Sequence, residues 1–156
     1  MKNSIKFIIA IAIPLSIGAA AGLFTASSVQ GWYSTLNKPS FNPPNWIFAP
    51  VWTMLYILMG IAFYMIWKKE TTGLLKRNAV VFYFAQLVLN FFWSIIFFYA
   101  QQPGWALVDI IFLWLFIAAT IYCFSKLSKP AAWLLVPYIL WVSFATALNF
   151  AIWKLN

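Results

Sequence analysis

Long apolar runs constrain the fold of this chain more than any other feature of its sequence. They occupy roughly residues 5–26, 46–67, 79–99, 105–124 and 131–153. A run of about 20 apolar residues has the length of a helix that crosses the hydrocarbon core of a bilayer. In lipid every backbone polar group must be satisfied within the spanning structure, which favours α-helices. The sequence therefore predicts an all-α integral membrane protein, a five-transmembrane-helix bundle that forms a single domain over residues 1–156.

The composition agrees with a membrane location. Of the 156 residues, 65% are hydrophobic and 8% are charged, whereas a soluble domain carries about 25% charged residues. The formal net charge is +8. Because the basic residues sit in short segments between the apolar runs, topology and anionic headgroups explain this charge better than a nucleic-acid partner does.

Several kinds of catalytic and metal site are excluded by composition. The chain contains no histidine, which removes histidine-based acid–base catalysis and histidine-ligated zinc or haem. The two acids, Glu70 and Asp109, are far apart in the sequence, so a carboxylate pair or an acidic metal cage is not expected. The sequence thus predicts no metal site, no required cofactor and no conventional catalytic constellation.

The basic residues also predict an orientation in the membrane. One side of the predicted bundle carries Lys2, Lys6, Lys68, Lys69, Lys76, Arg77, Lys126 and Lys129, and the other carries Lys38 and Lys154. The positive-inside rule then places the N-terminus in the cytoplasm, with the first loop and the C-terminus on the opposite side of what we expect to be a bacterial cell membrane. The first run could instead be a signal peptide, but it is longer than the usual apolar region of about 7–15 residues.

The loop between the first two spans, residues 27–45, differs in character from the other connections. It contains Pro39, Pro43 and Pro44 together with Trp32, Tyr33 and Phe41. Prolines fix φ, so such a segment can be ordered without regular structure, and aromatic residues argue against disorder. The sequence predicts a long ordered loop that covers a pocket, with Tyr33 facing inward. An interfacial aromatic belt remains an equal explanation for Trp32.

Two helix faces beneath this loop carry aromatic residues at helical spacing. Trp52 and Tyr56 are four residues apart in the second span, as are Trp141 and Ala145 in the fifth, so each pair lies on one face. Trp141 is about 18 Å from Trp153 along a helix, at a depth where an interfacial belt does not account for it. We expect indole rings from separate helices to converge on one apolar chamber beneath the loop.

The third span carries side-chain amides at mid-depth. Gln86 and Asn90 are four residues apart, and Trp93 neighbours Asn90 on the helix surface. Amides in lipid are costly and face the interior of a bundle. Hydrogen bonding between helices is one explanation, and contact with a ligand, better suited to Asn90, is the other. Asp109 is the one acid inside a span; a lone acid without an intramembrane base argues against an ion-coupled transporter.

Several segments together identify a family resemblance. They are WYSTLNKPSFNPPNWIFAPVW (32–52), QLVLNFFW (86–93), GWALVD (104–109), PAAWLLVPYILW (130–141) and FATALN (144–149). Over nearly its whole length the chain resembles the translocator protein family, also called tryptophan-rich sensory protein or peripheral benzodiazepine receptor (TspO/MBR). The resemblance implies a five-helix bundle, usually a homodimer, with a ligand cavity at the end of the first loop. It also implies porphyrin binding, cholesterol and benzodiazepine-type drug binding in eukaryotic members, and light-dependent porphyrin breakdown in some bacterial members.

Matching the family motifs to this chain implies a set of pocket residues: Tyr33, Trp52, Asn90, Trp93, Trp105, Trp141 and Ala145. At the place of the family's sterol motif the chain reads LNFAIWK (148–154), with Phe150 where the motif has tyrosine. That segment therefore does not predict sterol recognition. The third span lacks an evident small-xxx-small pattern, so the surface of the expected dimer is not identified.

The expected ligand is a porphyrin, a flat apolar ring with two propionates. Trp52, Trp93 and Trp141 offer stacking walls, while Asn37, Lys38 and Asn90 could meet the propionates. Without histidine, metal-free porphyrin is favoured over haem. Trp52 and Trp141 are candidate photochemical residues, because an indole near the ring could supply an electron to its excited state. The alternative function is a carrier or sensor for lipids or sterols, without catalysis.

Overall fold

The computed structural model describes residues 1–156 and is built of helices joined by loops. The α-helices are α1 (Asn3–Gln30), α2 (Phe48–Trp67), α3 (Leu74–Ser94), α4 (Pro103–Leu127), α5 (Lys129–Leu134) and α6 (Val136–Leu155). Short 3₁₀ turns lie at Trp32–Thr35 and Asn45–Ile47, and a π-helical segment, Ile95–Tyr99, extends α3. The structure has five helical segments that are long and apolar enough to cross a membrane, which confirms the predicted all-α membrane bundle.

The fifth span is divided into α5 and α6. Ser128 caps α5 by accepting a hydrogen bond from the Ala131 amide at 3.4 Å, which satisfies one of the free donors of a helix start. The division falls at Leu135, just before Pro137 in the first turn of α6. Proline lacks an amide hydrogen and is tolerated in a first turn, so the break sets the direction of α6.

The spans form a closed ring in which each packs against two neighbours. Around the ring, α1 adjoins α2, α2 adjoins α5, the α5–α6 span adjoins α4, α4 adjoins α3, and α3 with its π segment returns to α1. The largest buried side chains fill the centre; they include Leu55, Met59, Ile66, Tyr83, Leu113, Phe124 and Tyr138. The core is thus concentrated at the end of the bundle away from the first loop, and α2 meets the fifth span there, through α5.

Helices α1 and α2 touch most closely at Gly60. A Cβ atom placed on Gly60 would lie 2.6 Å from the Cα atom of Ile11 and 2.8 Å from the carbonyl oxygen of Ala10. No side chain fits at such distances, so glycine permits this backbone approach. The contact fixes the crossing of the two helices below the cavity described next.

Candidate ligand cavity

A cavity lies at the end of the bundle that carries the first loop, which we call the loop end. Its volume is about 640 Å³ and it is lined by 26 residues, of which 18 are hydrophobic. Ligand pockets for drug-sized molecules usually measure about 300–1,000 Å³. The aromatic residues in the wall are Tyr33, Phe48, Trp52, Tyr56, Trp93, Phe97, Phe98, Trp141 and Phe144. Four spans and the loop contribute to the wall, and α4 contributes no residue.

Trp52 is the central aromatic side chain of the wall. Its ring stacks on Tyr56 at a centroid distance of 5.7 Å and lies 6.4 Å from Trp93 on α3. It also meets the edge of Tyr138 on α6, again at 6.4 Å. Rings at these separations attract one another beyond their buried area, by about 0.5–1.5 kcal/mol per pair. The indole is therefore held in one orientation by three helices.

The two other tryptophans of the wall differ in the state of their indole N–H groups. Trp93 Nε1 donates to Asn149 Oδ1 at 2.9 Å, and Asn149 Nδ2 donates to the Pro103 carbonyl oxygen at 2.8 Å. Trp141 packs between Phe48 and Phe144, but its Nε1 atom is buried and has no hydrogen-bond partner. A buried N–H without a partner is costly, and this one is covered by its neighbours rather than open to the cavity.

A buried polar network lies beneath the aromatic wall. Tyr56 Oη donates to Asn90 Oδ1 at 2.7 Å, and Asn90 Nδ2 donates to Tyr138 Oη at 2.8 Å. Tyr138 Oη in turn donates to Gln86 Oε1 at 2.6 Å. The network joins α2, α3 and α6, and satisfied buried networks of this kind specify a single packing arrangement. It holds the Tyr56 ring, one face of which supports Trp52.

The first loop folds over the loop end as a roof. Tyr33 is only 2% exposed, packs on Phe98 at 5.5 Å and donates its hydroxyl hydrogen to Asn42 Oδ1 at 2.9 Å. Burial raises the pKa of the Tyr33 hydroxyl above its ordinary value, so the group is protonated throughout the physiological range. The ammonium of Lys38 lies 4.7 Å from the centre of the Tyr33 ring, a favourable cation–π geometry.

Asn156 fastens this roof to the end of α6. Its side chain accepts from the Asn37 backbone amide at 3.0 Å and donates to the Asn37 carbonyl oxygen at 2.9 Å. The Asn37 side chain also donates to the Leu155 carbonyl oxygen at 3.4 Å. An amide that pairs with both backbone groups of one residue fixes the position of that segment. We call these three hydrogen bonds the Asn156 clasp.

The structure brings together most, but not all, of the residues expected at the pocket. Tyr33, Trp52, Tyr56, Trp93, Trp141 and Ala145 line the cavity. Asn90 lies in the polar network instead, 2% exposed, with its oxygen and its nitrogen both bonded to tyrosines. The placement of Asn90 is a correction to our expectation, and its physical reason is that two neighbouring hydroxyl groups already satisfy the amide.

Three further expectations also require correction. Trp105 is 68% exposed and lies outside the cavity, because it belongs to the first turn of α4, the helix that faces away from it. There it borders a second depression, together with Trp32 and Trp153. Asn37 and Lys38 do not line the cavity either, since the Asn156 clasp holds the first and the Tyr33 ring attracts the second.

Helix α1 contributes cavity residues that the sequence reasoning missed. Gly18, Ala19, Gly22, Ala26 and Val29 are among them. Gly18, Gly22 and Ala26 are small and lie four residues apart, which was the available signal, but such a stripe is equally typical of close helix packing. Phe97 and Phe98 were also missed; they lie in the π segment, whose extra residue per turn no pattern of hydropathy reveals.

Comparison with known proteins places this architecture in a family. The TspO/MBR family model matches residues 10–154. The chain belongs to the TspO/MBR family. A tryptophan-rich protein TspO of Chlorobaculum tepidum is 45% identical in an alignment of 159 positions, gaps included, that covers 99% of this chain and 98% of that protein. A second TspO, from Archaeoglobus fulgidus, is 47% identical over 154 residues, 99% of each chain. The human translocator protein is 41% identical over 152 residues, 93% of this chain and 89% of its own.

Family membership confirms the resemblance drawn from the motifs. This TspO/MBR protein is an integral membrane protein, and its relatives support a receptor-like role in the membrane. Relatives of 40% identity or more include both tryptophan-rich sensory protein of Cereibacter sphaeroides and translocator protein of Bos taurus.

Proposed function

We propose that the protein is a receptor for planar aromatic molecules, above all metal-free porphyrins and benzodiazepine-type compounds, which it holds in the loop-end cavity. The observation that carries this proposal is the convergence of Trp52, Trp93 and Trp141 from three spans on one cavity of about 640 Å³. Aromatic walls suit a flat π-system, which gains stacking and edge-to-face contacts that an aliphatic chain does not.

Polar atoms at the rim would orient such a ligand. Gln30 and Asn45 line the cavity and are exposed at the loop end, so their amides suit the propionate edge better than Asn37 and Lys38 do. No charged residue lines the cavity, and acidic groups on the ligand would therefore remain near the water-facing rim.

A binding experiment with matched substitutions tests this proposal. Ala145 lines the cavity and Ala147 is exposed on the same helix outside it. In detergent-solubilised protein titrated with protoporphyrin, followed by tryptophan quenching, Ala145→Phe should weaken binding by about tenfold or more because it fills the cavity. Ala147→Phe should bind like the wild type. Equal affinity of wild type and Ala145→Phe would contradict binding in this cavity.

Light-dependent breakdown of the bound ring is an extension of the same proposal. An excited porphyrin close to Trp52 or Trp141 takes one electron from the indole, leaving a porphyrin radical anion and a tryptophan radical cation. Dissolved dioxygen takes the electron from the radical anion as superoxide, and the tryptophan radical cation then regains one electron from the porphyrin. The resulting porphyrin radical cation combines with superoxide, so that the net reaction adds dioxygen to the ring and restores the tryptophan. Trp52→Phe with Trp141→Phe keeps apolar walls but removes both candidate donors. Loss of the Soret band under illumination should slow in this variant at matched porphyrin occupancy; an unchanged rate would remove both residues from the photochemistry.

A carrier or sensor for lipids or sterols is the second candidate. The absence of charged residues from the wall favours it, since an uncharged ligand then leaves nothing unpaired. Competition separates the two functions. A sterol that displaces protoporphyrin at stoichiometric concentration favours the second candidate, and displacement only at a large excess favours the first.

Orientation and assembly complete the proposal. Lys38 and Lys154 are the basic residues at the loop end, so the cavity is expected to face away from the cytoplasm. The family resemblance suggests a homodimer. The orientation can be tested with a cysteine introduced at Phe41, an exposed roof residue. Its reaction with an impermeant maleimide in intact cells would show that the loop end faces away from the cytoplasm.

A further inference from the structure

Helix α1 changes its packing partner along its length. Away from the loop end it lies against α2: Phe7 meets Tyr64 edge-on at 5.2 Å, and the backbone at Ile11 crosses Gly60. A third such contact is at Gly18, where an added Cβ would lie 2.5 Å from the Tyr56 ring. Up to this level, no space separates the two helices.

Beyond Gly18 the contacts of α1 move to the third span. Phe24 packs on Phe91 at 6.3 Å and on Tyr99 at 5.5 Å. Nearer the loop, Ser28 Oγ donates to the Phe98 carbonyl oxygen at 2.9 Å. Helix α1 therefore leans from α2 toward α3 as it approaches the loop end, and the two helices α1 and α2 separate.

The separation leaves a lateral gap in the cavity wall. Its edges are Ala19, Gly22 and Ala26 on α1, and Ala49 and Thr53 on α2. These five residues line the cavity and are also exposed, as residues at the edge of an opening are. A Cβ atom placed on Gly22 meets no other atom within 4 Å, and the Thr53 hydroxyl is satisfied by the Ala49 carbonyl oxygen of its own helix at 2.8 Å.

Passage through the roof itself is obstructed, although the rim beside it is open at Gln30 and Asn45. The Tyr33–Asn42 hydrogen bond and the Asn156 clasp hold the loop on the bundle, and Phe41 packs on Phe144 of the cavity wall at 6.1 Å. A ligand that passed through the roof would have to break these contacts first. The lateral gap requires no such step, and apolar or hydroxyl side chains that lipid tolerates form its edges.

We propose that the lateral gap is the portal of the cavity, through which ligand exchanges with the surrounding bilayer. This inference rests on the proposed function, and it narrows the ligand class to molecules that partition into lipid before they bind. The portal makes Gly22 and Ala49 determinants of exchange rate, because a larger side chain at either position narrows the passage and leaves the aromatic wall intact.

Exchange kinetics in lipid vesicles test the portal. Gly22→Leu and Ala49→Leu should slow both association and release of protoporphyrin by about tenfold, with the dissociation constant changed by less than about threefold, since a gate affects both directions alike. Ala12→Leu is the matched control, because Ala12 is exposed on α1 outside the cavity. Asn156→Ala, which opens the clasp, should leave both rates unchanged.

Two results would overturn the portal. One is exchange at the wild-type rate in both Gly22→Leu and Ala49→Leu; the other is about tenfold faster exchange in Asn156→Ala, which would assign the passage to the roof.

A measurement without porphyrin separates the portal from the proposed function. Vesicle lipids brominated along the acyl chain should quench the cavity tryptophans of the wild type and quench them less in Gly22→Leu, with Ala12→Leu unchanged. If the wild type does not bind porphyrin but shows this difference, the proposed ligand is wrong and the portal stands; equal quenching in all three proteins contradicts the portal.

Discussion

Replacement of Asn90 by leucine separates a structural role of this amide from a role in ligand contact. Asn90 bridges Tyr56 and Tyr138 and does not line the cavity. Leucine is similar in volume but forms no hydrogen bond, so two interhelical bonds are lost. At about 0.6–1.7 kcal/mol for each bond in a membrane bundle, the free energy of unfolding should fall by about 1–3 kcal/mol.

The same variant should retain most of its ligand affinity. Because the Tyr56 ring stays packed on Trp52, protoporphyrin affinity should change by less than about threefold, which corresponds to less than about 0.7 kcal/mol. Unfolding is measured by titration with sodium dodecyl sulfate in mixed micelles, and affinity by tryptophan quenching well below the unfolding midpoint. Tyr56→Phe is the matched control, because it removes one of the two bonds and keeps the ring.

The opposite pattern would refute this reasoning. If Asn90→Leu unfolds like the wild type but loses affinity by about a hundredfold or more, the amide contacts the ligand directly, as the family motif implied, and the polar network is not its main role. A fall in stability in Asn90→Leu that is no larger than in Tyr56→Phe would also contradict the assignment of two bonds to Asn90.

Three further predictions follow from contacts described above. Gly60→Ala should lower the free energy of unfolding by about 1–3 kcal/mol, measured in the same way, because its Cβ would meet the Ile11 backbone at 2.6 Å; a neutral effect would mean that α1 moves aside freely. The roof should loosen as pH rises above about 10. The pKa of Tyr33 is raised from an ordinary value of 10.0, so the stabilisation of the roof by the protonated hydroxyl is complete below pH 10 and is lost as the pH rises through the higher pKa of the folded protein. The hydrogen-exchange rate of the loop amides, corrected for its intrinsic pH dependence, should increase above that pH in the wild type. It should not increase in Tyr33→Phe, in which the hydrogen bond to Asn42 is already absent. Trp105→Ala should bind protoporphyrin with unchanged affinity, since Trp105 borders the second depression; a loss of about tenfold or more would return it to the binding site.

The bundle could be predicted from the sequence because lipid leaves few alternatives. Long apolar runs must form helices in a bilayer. The Trp141 indole, at mid-depth, needed an explanation other than an interfacial belt, and Trp52 shares one helix face with Tyr56. These residues do line the cavity. Helical spacing alone thus identified two of its aromatic walls.

What the sequence did not reveal depends on competition between contacts. Asn90 could bond to a ligand or to neighbouring hydroxyls, and the choice depends on Tyr56 and Tyr138, which approach it from other helices. Lys38 could meet a propionate or the face of Tyr33. The lean of α1 from α2 to α3 depends on contacts such as those of Phe24 and Ser28, whereas the glycines of α1 form a pattern that is the same for a helix that packs closely throughout. Hydropathy carries no information on any of these choices.

The position of α4 has a consequence for how this membrane protein can vary. The helix packs against α3 and α6 but lends no side chain to the cavity, and Ile111, Phe112 and Leu115 lie exposed along its outer surface. Substitutions on that surface change what the protein presents to the surrounding bilayer and leave the chamber unchanged. The outer surface of α4 and the wall of the cavity can therefore change independently by mutation.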